Sequence, residues 1–139
     1  MAGSATSYLR TAVLGHTLGF APFTMPASVY VGLATTLPSG TTAGTEVLGG
    51  GYARRAITFS MASGRSDLAA NTVTIEWPPA TANWGTIGWF ELYDALSAGN
   101  RLYWGVLVDP IDLVTPISRA INSGDIMRLP ASAVTCQAI

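Results

Sequence analysis

Four kinds of side chain in this sequence could do chemistry. Histidine is represented by His16 alone and cysteine by Cys136 alone, so a metal centre built from imidazole and thiolate has almost no material. His16 falls on an amphipathic leading stretch, where a surface or half-buried residue is expected. Cys136 lies in an apolar terminal segment, which predicts a small buried hydrophobe rather than a reactive thiol, and a lone cysteine forms no internal disulfide. Asp94, Asp109, Asp112 and Asp125 stand at strand ends or turns, where aspartates normally accept from local backbone amides. A calcium site or a pair of glycosidase carboxylates can be assembled from such residues, but nothing in their spacing specifies either. Trp77, Trp84, Trp89 and Trp104 suit a sugar-stacking platform, or the core and interface anchors that tryptophans more often supply in a small domain. The run Gly49 to Gly51 resembles a phosphate cradle only superficially, since no Gly-Lys-Ser or Gly-Lys-Thr and no helix follows it. The expectation is a protein without enzymatic activity, cofactor or metal.

The elements that would position these residues are mostly strands. Trp84 to Asp94 and Arg101 to Asp109 read as the arms of a β-hairpin around Leu96-Ser-Ala-Gly-Asn100. Neither face of the first arm is plainly polar, which predicts cover on both sides, part of it from another chain. Before the hairpin, Ala27 to Ala34, Tyr52 to Ser60 and Asn71 to Trp77 read as strands; after it come an edge strand or loop over Ile111 to Ser118 and strands over Ile126 to Leu129 and Ala133 to Ile139. Between the first two, Thr35 to Gly51 is a long loop rich in Thr, Gly and Ser. The one helical pattern is residues 1–20, with Ser4 as cap, Leu14 and Leu18 one turn apart and Gly19 as stop. This helix is expected either to cover the end of the sheet or to extend as an arm onto a neighbour. About eight short strands with Gly, Pro and Ser between them predict an all-β fold, an antiparallel β-sandwich of jelly-roll type with an N-terminal helix or arm. One domain over residues 1–139 is expected, with the sandwich over 27–139.

Composition narrows the partners. The chain has 139 residues, of which 11% are charged and 49% hydrophobic, whereas an ordinary soluble domain is about one quarter charged. So little charge predicts large apolar areas covered by other subunits. A formal net charge of −1 with dispersed arginines gives no footprint for nucleic acid, and no stretch has the length of a membrane span.

Gly49-Gly-Gly-Tyr-Ala-Arg54, Ala80-Thr-Ala-Asn-Trp-Gly-Thr86, Phe90-Glu-Leu-Tyr-Asp94 with Gly99-Asn100, and Ser123-Gly-Asp125 are together similar to a family of small tailed-bacteriophage virion proteins, over roughly Ala27 to the C-terminus. Members carry tail-fibre or head-decoration labels. Size, fold and low charge most resemble the capsid cement proteins of HK97-type shells, such as that of the Bordetella podophage. The resemblance implies a cement protein, assembled in the host cytoplasm, that binds the outside of the phage head and bridges subunits of the major capsid protein. A tail-fibre or tail-adaptor protein is the alternative, and a secreted lectin a third class. Self-association as a homodimer, or as a trimer, is expected through the hairpin aromatics Trp89, Tyr93, Tyr103 and Trp104. Capsid contact is expected from the N-terminal segment and the adaptable loop, at Thr41, Thr42, Gly49, Gly50, Gly51 and Tyr52.

Overall fold

A computed structural model describes residues 3–109, 111 and 114–139. Its centre is the expected hairpin with shorter arms, β8 (Trp89–Tyr93) against β9 (Arg101–Val106), Phe90 opposite Gly105 and Glu91 opposite Trp104; the expected first arm from Trp84 breaks at Gly88, and Gly85–Ile87 pairs in another sheet. The reversal uses Ala98 and Gly99, both at positive φ, and is pinned by Asp94, whose Oδ1 accepts from the amide of Asn100 at 2.7 Å. Around the hairpin stand β1 (Ser4–Ala5), β2 (Val29–Ala34) and β3 (Arg55–Ile57), giving a five-stranded sheet in the order β1-β9-β8-β2-β3.

The remaining strands pair outward from this hairpin in nested order. β7 (Gly85–Ile87) pairs β10 (Arg119–Ile121), β6 (Ile75–Glu76) pairs β11 (Arg128–Leu129), and β5 (Leu68–Asn71) pairs β12 (Thr135–Gln137), all antiparallel. β4 (Phe59–Met61) adds to the far side of β5. Among the described residues the fold is all-β with strands paired antiparallel, and its one helix is the short α1 (Ser7–Thr17) at the N-terminal end. Each of these pairs lies outside the previous one in sequence, so the chain closes as nested antiparallel ladders around the hairpin.

The main core takes the inward residues of both layers, among them Val31, Leu33, Trp77, Ile87, Phe90, Ile121 and Val134, each no more than 1% exposed. Burial of each contributes on the order of 1.5–3 kcal/mol. The second face of the hairpin is covered from within the described chain: Glu91 is 1% exposed, capped by the Thr35–Gly51 loop, which folds back so that Thr35 donates to Thr45 O and Val47 to Leu33 O. The double cover read from the sequence is real, and the chain supplies its own cover over Glu91.

Several boundaries differ from the sequence expectation. The helix spans Ser7–Thr17, not 1–20, and its cap is Thr6, whose hydroxyl accepts from Leu9 N; Ser4 is drawn into β1 instead. Gly19, at φ +82, follows the helix end as expected. Tyr52 to Ser60 is not one strand, because the chain leaves one sheet after Ile57 and enters another at Phe59. Asn71 to Trp77 is not one strand: Asn71 ends β5, Ile75–Glu76 forms β6, and Val73 between them is 57% exposed. Ladder pairing with β4 and β12 makes Leu68–Asn71 a strand although its alanines carry little β-propensity.

Candidate functional site

The most highly structured polar feature is an ionic knot that ties the loop to the hairpin. Arg54 directs its fork at Glu46, Nη2 to Oε1 at 2.9 Å and Nε to Oε2 at 2.9 Å, while its Nη1 donates to the carbonyls of Ala95 and Ala98 in the hairpin turn. The guanidinium also lies against the Tyr93 ring. Tyr52 donates to Glu46 Oε2 at 2.7 Å and accepts from Leu33 N at 3.0 Å. A second centre sits beside it. Arg101 Nη1 approaches Glu91 Oε2 at 3.2 Å without hydrogen-bond geometry, and its Nη2 donates to Ser39 O; Gly44 N and Tyr93 OH donate to the Glu91 carboxylate.

Local sequence explains the knot. Gly32 is opposite Glu91, and a Cβ there would meet Glu46 Oε2 at 2.9 Å, so the charged groups need a glycine beneath them. The three glycines before Tyr52 all have positive φ, and the middle one, Gly50, packs on Trp84, whose Nε1 donates to Gly50 O at 2.9 Å. Burial raises the Glu91 carboxyl above the ordinary carboxylate value, and Arg101 and the Gly44 amide only partly offset it. Burial, then the charges of Glu91 and Glu46, push Tyr93 up to about 12, and burial followed by the bond to Glu46 pushes Tyr52 higher still. For Arg54, burial acts downward but the Glu46 bond and charge outweigh it, and the guanidinium is held more firmly charged. Each group is engaged by another, so the arrangement fixes geometry and presents no free acid, base or nucleophile. Sequence reasoning missed it; a lone glutamate inside Trp89-Phe-Glu-Leu-Tyr93 was the available signal.

The expected contact residues are dispersed. Trp89 and Trp104 share the Glu91 face and are half-buried, Tyr93 is buried in the knot, and Tyr103 stands opposite Leu92 on the other face, so the four aromatics do not form one patch. Thr41, Thr42, Gly49 and Gly51 are exposed, whereas Gly50 packs against Trp84 and Tyr52 is spent on Glu46 and Leu33. Within the loop, Gly44 and Glu46 are the residues tied into the knot. Trp77 is 1% and Trp84 6% exposed, which removes them from any sugar platform.

The other chemical candidates resolve as local structure. Asp109 accepts from Ile111 N and Asp125 from Asn122 N; Asp112 lies outside the described residues. His16 is exposed and its Nδ1 accepts from Phe23 N. Cys136 is buried, and burial pushes its thiol up to about 12. Among the described residues no group of His, Cys, Asp and Glu could hold a metal ion, and no helix is long and apolar enough to cross a membrane.

Large apolar side chains do reach the surface. Leu14, Leu18, Phe20 and Met25 expose 56%, 66%, 71% and 82% along the N-terminal segment, and Leu48 exposes 96% at the tip of the knotted loop. Next to α1 opens an apolar groove of about 410 Å³, lined by Leu9, Phe23, Val29, Phe59 and Met61 among others.

The family model described as Podophage GP4 fiber I protein gp80 matches residues 4–137, and no curated protein matches the chain.

Proposed function

We propose that this chain, which belongs to the podophage GP4 fiber I protein gp80 family, is a non-catalytic structural subunit of a phage fibre. The observation that carries this reading is the family match over residues 4–137, nearly the whole chain. Membership makes it a phage structural protein, and the family's description favours the fibre over the head shell that the sequence resemblance pointed to. The geometry supports a building role. A subunit that repeats in a filament or joint needs rigid loops and apolar surface to bury against its neighbours. Here the buried knot holds the Thr35–Gly51 loop, and Leu14, Leu18, Phe20 and Met25 remain uncovered on the N-terminal segment. Its partners are other copies of itself and adjoining virion subunits, and its location is the virion.

Quantitative mass spectrometry of purified virions, combined with antibody labelling in electron micrographs, tests the proposal. Label on fibres, with a few to a few dozen copies per particle, is the expected result. Hundreds of copies in proportion to the major capsid protein, with label over the head, would overturn the fibre assignment in favour of capsid cement.

A further inference from the structure

The N-terminal stretch is built as a module docked onto the rest of the chain. Gly3 to Ala5 lie in a slot between β9 and β12. On one side Ser4 pairs Trp104 and Ala5 pairs Tyr103; on the other Gly3 N donates to Thr135 O at 2.6 Å and Gln137 N donates to Gly3 O at 3.1 Å. Thr6 extends the docking, its amide donating to Leu102 O at 2.9 Å and its hydroxyl to Arg101 O at 2.6 Å. Leu9 and Ala5 then join Leu102 in a small cluster separate from the main core.

Behind the helix the module closes on itself. The amides of Phe20 and Ala21 donate to Gly15 O, and that of Phe23 to His16 Nδ1. From Thr24 to Ser28 the pattern changes: these residues make no hydrogen bond among the described residues, Met25 is 82% exposed, and Pro26 borders the apolar groove. Such a segment can serve as a hinge, since straightening it breaks no hydrogen bond, and extended it spans roughly 17 Å.

The slot is selective about what it accepts. A Cβ at Gly3 would meet Thr135 O at 2.9 Å and Phe90 Cζ at 3.0 Å, and a Cβ added to Gly105 would stand 3.0 Å from Gly3 Cα. The occupant must therefore present glycine there, with small residues after it and a helix carrying leucine at the Leu9 position. Another copy's Gly3-Ser-Ala-Thr6 meets that requirement as well as the chain's own.

We infer that the arm Gly3–Phe23 is exchanged in the assembled protein, each copy docking it between β9 and β12 of a second copy. This rests on reading the chain as a repeating structural subunit. Exchange repeats every docking contact between chains and straightens only the hinge, which is why swapped elements form at low energetic cost.

The test uses full-length chains in a Cys136→Ala background. One chain carries Ala5→Cys and another, distinguished by mass, carries Tyr103→Cys; the two are mixed, refolded together and oxidised. Since the new thiols are on different chains and opposite each other in the ladder, a disulfide between them reports an arm in a foreign slot. The expected result is a disulfide-linked pair of the two chains as a major species. If that pair is absent while both thiols together in one chain give only an intrachain bond, the exchange is overturned. Should either variant lose its β-sheet circular dichroism, Ser4→Cys with Trp104→Cys gives the same readout at the next rung. A fibre location without the linked pair defeats the exchange alone, and a linked pair from a protein found only on heads defeats the fibre reading alone.

Discussion

The guanidinium carbon of Arg54 lies 3.4 Å from the centroid of the Tyr93 ring. That contact joins Arg54, three residues past the glycine turn, to the end of the first hairpin strand, so one side chain bridges loop and sheet. Removing it strands a carboxylate, since Glu46 takes both of its arginine bonds from Arg54. Loss of one partner of a buried pair costs about 3–5 kcal/mol. Glu46 keeps 26% of its side chain exposed, which places Arg54→Ala toward about 3 kcal/mol or below. Arg54→Lys keeps the charge but loses the fork and the flat stack, and should recover less than half of the loss. Urea midpoints of the three proteins check the order; a lysine variant as stable as the parent would refute the role given to the fork.

Glu91 makes stability depend on pH with a definite sign. Its folded carboxyl titrates above the ordinary value of 4.5 because it is buried, so the folded state holds the proton more tightly than the unfolded chain does. The stabilisation is complete below pH 4.5 and is lost as pH rises through the folded value. Asp67, exposed and lowered by its bond to Arg65, acts oppositely in a lower window, below 3.8. Glu91→Gln should flatten the decline above pH 4.5 and leave the Asp67 limb untouched. Denaturant unfolding from about pH 2 to pH 8 in both proteins covers both limbs; identical slopes above pH 4.5 would show that Glu91 titrates as if in water.

What the sequence made legible was set by local pattern. The hairpin was readable because aromatic and β-branched residues fill both arms and Ser97-Ala-Gly-Asn100 can only turn. Buried Cys136 and the turn-bonded Asp94 and Asp125 were readable for the same local reasons. The strand at Leu68–Asn71 was hidden because its pairing comes from Phe59–Met61 and Thr135–Gln137, far away in the chain. The knot was hidden too: Glu46, Arg54, Glu91 and Arg101 are separated in sequence and meet only after β2 and β8 have paired. Exposed apolar side chains were foreseeable from composition, but their concentration on the N-terminal segment was not, since Leu14 and Leu18 match a helix face that could equally have been buried.

Cys136 should behave as an inert core residue. Burial pushes its thiol to about 12, so almost no thiolate exists near neutral pH, and the sulfur is shielded by the sheet. In native protein at pH 8 a chromogenic disulfide reagent should label far less than one equivalent within minutes, and one full equivalent after urea is added. Fast labelling of the native protein would mean that β12 opens readily.

Neighbouring glycines in the turn provide the sharpest test of how the loop is fixed. Gly49 and Gly50 both have positive φ, +76 and +63, so alanine at either position carries a left-handed penalty of similar size, about 1–2 kcal/mol. They differ in what a Cβ would meet. At Gly49 nothing lies within 4 Å, whereas at Gly50 the new carbon would stand 2.8 Å from Trp84 Cδ1 and Nε1. Trp84 cannot step aside freely, because it is 6% exposed, its Nε1 is bonded to Gly50 O, and Tyr52 packs edge-on against it at 5.5 Å. Gly50→Ala should therefore cost about 1–3 kcal/mol more than Gly49→Ala, and it should shift the tryptophan fluorescence where Gly49→Ala does not. Equal losses in thermal or urea unfolding would mean that the turn moves as a rigid piece away from Trp84, and the loop would then be held by Arg54, Glu46 and Glu91 without help from the glycines.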